Sequence, residues 1–324
     1  MPHILLTGAG FSRNWGGLLA NEAFEYLLGC PQADMDLRQF LWEVKNRGGG
    51  FEDALTQLQG AYDAEFSPQI EQNLRNLTSA VYTMFLDMSI GFAGRQFEPQ
   101  NKSVGMMVGA FLSQFDAIFT LNQDTLLEQK YFGNVIGGKY GDCYTPGIKK
   151  TASKWGVGSI AKSISLQAPD PDNFRLIPDK LPYIKLHGSC DWVYDERNLL
   201  LILGGNKAAN IDKHPILKWY HSIFSADLSK PGTRLMIIGY SFNDEHINTT
   251  IRKAVEAHGL TIFIIDPSGI DVFDKRDSRA QITQPIGEYM EALSPYIIGA
   301  SRRPLLSTFN DDIVEHDKVM RFFK

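Results

Sequence analysis

The sequence predicts an α/β fold: a doubly wound parallel sheet with a large helical insertion and a C-terminal helical tail. Three observations predict it. Short Ile- and Leu-rich runs recur along the chain, each bounded by turn residues. Helical periodicity fills the stretches between them. Residues 18 to 115 carry apolar side chains at three- and four-residue spacing. Strands buried on both faces read as short continuous apolar runs. Strands alternating with helices read as a parallel sheet covered on both sides.

Taken in order, strands are expected at Ile4 to Leu6, Ala117 to Leu121, Tyr183 to Leu186, Leu199 to Leu203, Leu235 to Ile238 and Thr261 to Ile265. The block after the first strand contains LRQFLWEV, FEDALTQLQGAY and IEQNLRNLTSAVYTMFLDM, which predict four or five amphipathic helices. Pro68 after Ser67 suits a first helical turn, and Gly48-Gly49-Gly50 separates two helices. Residues 133 to 158, rich in glycine and lysine, are expected to form a loop. The expected division is a nucleotide-binding domain over 1–270 and a helical extension over 271–324. In that extension one helix is expected near Asp311 to Phe323. Val314, Val319, Phe322 and Phe323 would give it an apolar stripe, facing either the parent domain or a partner chain.

The 324 residues carry a formal net charge of −5, with 44% hydrophobic and 21% charged residues. This is the composition of a globular protein with a sizeable core. It gives no basic footprint for nucleic acid. Three cysteines, Cys30, Cys143 and Cys190, stand far apart. They supply neither a disulfide framework nor the four thiolates of an all-cysteine zinc site, and no metal is expected. No run approaches the roughly 20 apolar residues that span a bilayer. With no signal-like stretch at the start, a cytoplasmic location is expected.

Candidate chemistry gathers at the ends of the expected strands. Gly8-Ala9-Gly10, followed by Phe11 and Ser12, ends the first strand and opens a helix. Backbone amides there could seat a pyrophosphate, or the glycines could simply make a tight turn. Asn122 and Asp124 follow the second strand, where α/β sheets bind ligands, or they cap the next helix near Thr125. His187 ends a strand and precedes Gly188, either as a proton carrier at neutral pH or as a structural histidine. Gly239, Ser241 and Asp266 end two more strands. An acid such as Asp266 either holds ribose hydroxyls or makes a turn before Pro267.

The combination GAGFS (8 to 12), TLNQD (120 to 124), KLHGS (185 to 189), IGYSF (238 to 242) and IIDPS (264 to 268) resembles the sirtuin family, in the family's order. Departures are equally plain. Only Cys190 follows His187 where deacylating sirtuins carry two Cys-x-x-Cys pairs. Trp15-Gly16-Gly17-Leu18-Leu19 stands where their Gly-Ile-Pro-x-Phe-Arg would be. The acyl-channel Phe-Gly-Glu loop has no match. These features are similar to the zinc-free sirtuin-like branch of bacterial anti-phage systems, whose members hydrolyse NAD+.

That resemblance implies a Rossmann-like NAD-binding domain and an NAD+ glycohydrolase that yields nicotinamide and ADP-ribose. It implies Asn122 and His187 as the catalytic pair. Gly8, Ala9, Gly10, Phe11, Ser12, Asp124, Gly239, Ser241 and Asp266 would contact NAD+ as substrate. It also implies a homo-oligomer, restrained until triggered, with a hexameric DNA-translocating ATPase or another defence-system subunit as partner. The competing expectations are an NAD-dependent protein deacylase or ADP-ribosyl transferase, and a non-catalytic subunit that senses NAD or ADP-ribose.

Overall fold

The computed structural model describes residues 1–100, 103–133, 139–156, 163–195, 198–273 and 292–324. Its strands are β1 (His3–Thr7), β2 (Ala117–Thr120), β3 (Cys143–Tyr144), β4 (Ile148–Gly156), β5 (Ser163–Pro169), β6 (Leu181–Lys185), β7 (Gly188–Val193), β8 (Leu199–Leu201), β9 (Arg234–Ile238), β10 (Thr261–Ile265) and β11 (Ile297–Ser301). Seven of them form the main sheet in the order β11-β10-β9-β1-β2-β6-β3. All six pairings in it are parallel.

The pleat explains the apolar runs. Ile4, Leu6, Phe119, Ile184, Ile237 and Ile264 face one side. There they meet α9 (Pro215–Leu228) and α10 (Glu245–His258). Leu5, Ile118, Tyr183, Met236 and Phe263 face the other side. That face is covered by α1 (Ala9–Arg13), α6 (Val108–Leu112), α7 (Leu126–Lys130) and the C-terminal segment. Helices on both faces make the sheet doubly wound, as expected, in a Rossmann-like α/β fold.

The helical block comprises α2 (Ala20–Leu28), α3 (Met35–Asn46), α4 (Phe51–Ala64) and α5 (Pro68–Ala93), followed by α6. Asp34 caps α3, accepting from the Leu37 amide at 2.9 Å. Pro68 opens α5 directly after Ser67. The block has its own apolar core, which includes Phe24, Leu37, Leu41, Leu58, Leu77 and Val81.

Two expectations are corrected. The run near Leu199 is a strand of three residues, but it lies outside the main sheet. It belongs to a four-stranded sheet ordered β4-β5-β7-β8, in which β8 runs antiparallel to β7. The stretch 133 to 158 is not simply loop, because it holds β3 and β4. β4 turns its chain back onto β5 as an antiparallel pair, so lysines at 149 and 150 sit on an edge strand that tolerates polar residues. Residues 134–138 and 157–158 lie outside the description.

In the C-terminal segment, a helix spans Ile313–Met320 and a 3-10 turn follows. Val319 and Phe322 are buried against the sheet's second face, and Phe323 packs beside them. Val314 does not join that stripe: it is 81% exposed. β11 adds a parallel edge strand beside β10. No helix among the described residues is long and apolar enough to cross a membrane.

Candidate active site

One row of paired residues runs across the sheet. Ile265 pairs with Ile238, Ile238 with Thr7, Thr7 with Thr120, and Thr120 with Lys185. Asp266, Gly239 and Gly8 are the next residues along their strands. Asn122 and His187 each lie two residues beyond the Thr120–Lys185 pair. Parallel neighbours are about 4.8 Å apart, so equal offsets bring the two side chains to the same rim. β2 and β6 lie on one side of β1, whereas β9, β10 and β11 lie on the other. The switch point, where such sheets bind ligands, is therefore between β1 and β9.

The glycines at that switch pack backbone on backbone. A Cβ on Gly8 would lie 2.5 Å from the Gly239 carbonyl oxygen, and one on Gly10 would lie 2.7 Å from the Gly239 Cα. Gly239 itself has φ +61°, in the left-handed region. The Gly8 amide donates to Ile238 O and the Gly10 amide to Gly239 O, each at 3.0 Å, while Phe11 N donates to Gly8 O at 2.9 Å. Three of the four amides considered for an anion thus already have backbone acceptors. Glycine is needed here first for chain-to-chain contact.

Asn122 is buried, and its Nδ2 donates to Ser12 Oγ at 2.9 Å. This bond joins α1 to the segment after β2 and leaves the serine hydroxyl hydrogen to donate elsewhere. The Asn122 backbone N–H donates in turn to Thr120 Oγ1, at 3.0 Å. Asp124, also buried, accepts from Leu126 N at 3.0 Å in the first turn of α7. Asp266 accepts from Ser268 N at 2.8 Å, which is the turn arrangement, and burial raises its pKa. Ser241 is exposed on the loop after β9. That loop carries strain at Phe242, a non-glycine residue at φ +55°. Asn248 holds it there, donating to Phe242 O at 2.9 Å and accepting from the Tyr240 hydroxyl at 2.8 Å.

His187 is 2% exposed. Burial, then the Lys207 charge and the neighbouring imidazoles, hold its pKa well below the ordinary histidine value, so it is neutral. Its Nε2 faces His246 Nε2 at 3.0 Å. His246 also neighbours His221, with ring centroids 5.4 Å apart. The His221 Nε2 is 3.0 Å from Leu186 O, which fixes that nitrogen as the donor. Burial lowers His221 too, and pushes His246 down to about 4.

Sequence reasoning singled out neither His221 nor His246. The signal for His246 was its place beside the GYSFND stretch, at the start of a helix. Lys207 of α8 (Lys207–Asp212) was missed as well. It bridges Glu52 of the helical block and Asp244, each at 2.8 Å. The ligand atoms of His187, Asp244 and His246 lie within 4.8 Å of one another, close enough for a metal. Yet the Lys207 ammonium already occupies the Asp244 carboxylate, and a cation there would meet that charge.

Beneath the rim lies a second missed feature. Lys185 is fully buried; its Nζ donates to the Asp124 carbonyl and pairs with Glu128 at 2.7 Å. Burial opposes its charge, but the Glu128, Asp191 and Asp124 carboxylates outweigh burial and hold its pKa above the ordinary value. Burial pushes Glu128 up to about 7 against the pull of Lys185. Asp191 is anchored by Ser189 Oγ at 2.6 Å and Gln167 Nε2 at 2.7 Å. A lysine inside an apolar strand run is rare without a buried partner, and that was the legible sign.

A hollow of about 670 Å³ lies at the opposite, amino-terminal rim of the sheet, lined by Pro2, Asp116, Lys139, Tyr140 and Lys230 among others. Two of its acids are already matched, Asp116 with Lys139 at 2.8 Å and Asp227 with Lys230 at 2.6 Å. Size alone does not make it the functional site. The converging polar groups, the buried neutral imidazole and the switch point all lie at the other rim.

No curated protein matches the chain. A family match described as a SIR2-like domain covers residues 116–284, more than half of the 324 residues. It takes in Asn122, Asp124, His187, Gly239, Ser241 and Asp266, whereas Gly8 to Ser12 precede it. On this match and the fold, the chain belongs to the SIR2-like domain family.

Proposed function

We propose that the chain is an NAD+ glycohydrolase, with Asn122 and His187 as its catalytic pair. The observation that carries this reading is their common offset beyond the Thr120–Lys185 pair, with the imidazole buried and neutral. The bond from ribose to nicotinamide already has a cationic leaving group. Breaking it leaves positive charge on the ribose carbon, as in glycoside cleavage. Asn122, oriented by Ser12, holds a ribose hydroxyl or the attacking water. His187 accepts the proton that water loses, a contribution of about 100- to 10,000-fold. Asp124 and Asp266, with the loops at Gly8 to Ser12 and Gly239 to Ser241, line the path of the dinucleotide. The NH of Ala9 and the Ser12 hydroxyl are the donors assigned to its phosphates.

On this reading the enzyme is the effector of an anti-phage complex, because unrestrained NAD+ loss would kill its own cell. Its trigger is assembly of its own copies or a partner such as a hexameric DNA-translocating ATPase. The test is chromatography of NAD+ incubated with the pure chain, with and without the neighbouring gene product. Nicotinamide and ADP-ribose should appear in equal amounts, and Asn122→Ala and His187→Ala should each abolish most of the turnover while still binding NAD+. Full turnover by His187→Ala would overturn the assignment. Turnover that requires an acylated peptide or an acceptor protein would make the chain a deacylase or transferase. Binding without nicotinamide release would make it a sensor.

A further inference from the structure

We propose that His246 is a positioning residue that acts through His187, orienting its ring and carrying its proton out to solvent. The inference rests on the hydrolase reading above. Its basis is geometric. The two Nε2 atoms are 3.0 Å apart, with ring centroids at 5.2 Å and planes tilted by 47°. At that separation one nitrogen carries the hydrogen and the other accepts it. His187 has almost no solvent contact, whereas His246 is only partly buried at the start of α10. A proton taken up by His187 therefore has a neighbour to pass to before it can reach bulk water.

The step balances. The water oxygen bonds to the ribose carbon, and the carbon–nitrogen bond breaks with its electron pair left on nicotinamide. Water's proton goes to His187 Nδ1. The hydrogen on His187 Nε2 crosses to His246 Nε2, which returns His187 to a neutral ring. His246 then loses its own Nδ1 hydrogen to solvent. After product leaves, His187 Nδ1 gives its hydrogen to water in the cleft, His246 Nε2 returns one to His187 Nε2, and His246 Nδ1 takes one from solvent, which restores both tautomers. The groups around the pair favour passage over storage. Burial, then His221 and Lys207, oppose positive charge on His246, while Asp244 moderates them. His221 stays in place through Leu186 O, so it backs the His246 ring without competing for the His187 nitrogen.

The experiment is steady-state NAD+ hydrolysis by the full chain and its His246→Ala and His246→Gln variants, over a range of added imidazole. Both variants should lose kcat by about 100-fold, the lower end for proton-transfer groups, with KM for NAD+ unchanged. Imidazole should restore kcat of His246→Ala in a saturable way and leave the unsubstituted chain unaffected. Glutamine keeps a hydrogen bond but carries no proton, so it should behave as alanine does. Full kcat in His246→Ala, or a loss that appears in KM and ignores imidazole, would overturn the relay. An unsubstituted chain that binds NAD+ but releases no nicotinamide defeats the hydrolase reading itself. A second measurement is independent of turnover. Nitrogen-15 spectra of labelled histidines should show one Nε2 of the pair protonated and the other bare; two protonated nitrogens would sink the pairing.

Discussion

Ser12 shows how much one hydroxyl can decide. It is 2% exposed and accepts the hydrogen bond that orients the Asn122 amide. A bond of this kind is worth about 1 kcal/mol, so Ser12→Ala should lower kcat for nicotinamide release about fivefold, with thermal stability little changed. His187 makes a prediction about pH. An ordinary imidazole base would lose activity about tenfold between pH 7.5 and 5.5. His187 titrates well below the ordinary value, so the rate at saturating NAD+ should hold over that range. A rate profile with a midpoint near 6.5 would contradict the described burial.

Elements bring these residues together, and here the sequence was only partly legible. β1, β2, β6, β9 and β10 could be read from their apolar runs because both faces of each strand are buried. The strand-end residues Asn122, His187 and Asp266 then followed from position alone. What could not be read was which side chains a distant helix returns to that rim. His221 and His246 lie on α9 and α10, and only the winding of the chain brings them beside His187. The four-stranded sheet escaped for a different reason. β4 and β5 are a polar antiparallel pair without the buried-strand pattern, whereas β8 was legible as an apolar run but not its place outside the main sheet.

Element packing also predicts mutational costs. Lys185→Met would leave Glu128 and Asp191 buried without their cation, a loss of about 3–5 kcal/mol by denaturant unfolding. Adding Glu128→Gln should recover part of it. The glycines divide by environment. Gly239→Ala would set a Cβ 2.4 Å from the Gly10 Cα at φ +61°, and soluble folded protein should be lost. Gly91→Ala sits inside α5 with open space around it, and should stabilise by about 0.5–1 kcal/mol.

The whole molecule adds its own pH dependence. His187, His221 and His246 all have folded pKa values below the unfolded value of 6.5. The unfolded chain therefore binds more protons below 6.5, and stability present above that pH drains away as pH falls toward the folded values. For His246 the window runs from 6.5 down to about 4. Melting temperatures across that window should fall, and His221→Gln should flatten the decline. The C-terminal segment closes the sheet's second face. The Arg234 guanidinium donates to Phe322 O and Lys324 O, each at 2.7 Å, while His3 packs its ring against Phe322 and Phe323. Phe322→Ala, at 2% exposure, should cost about 3–5 kcal/mol, measured by urea titration.

The meeting of Gly8, Gly10 and Gly239 has a mechanical consequence. Two turns remote in sequence touch through main chain alone, with no side chain between them to lengthen, trim or swivel. Such a seam has no intermediate settings: it is closed or it is broken. Whatever movement admits a large ligand must therefore hinge elsewhere, with these two turns travelling as one rigid piece.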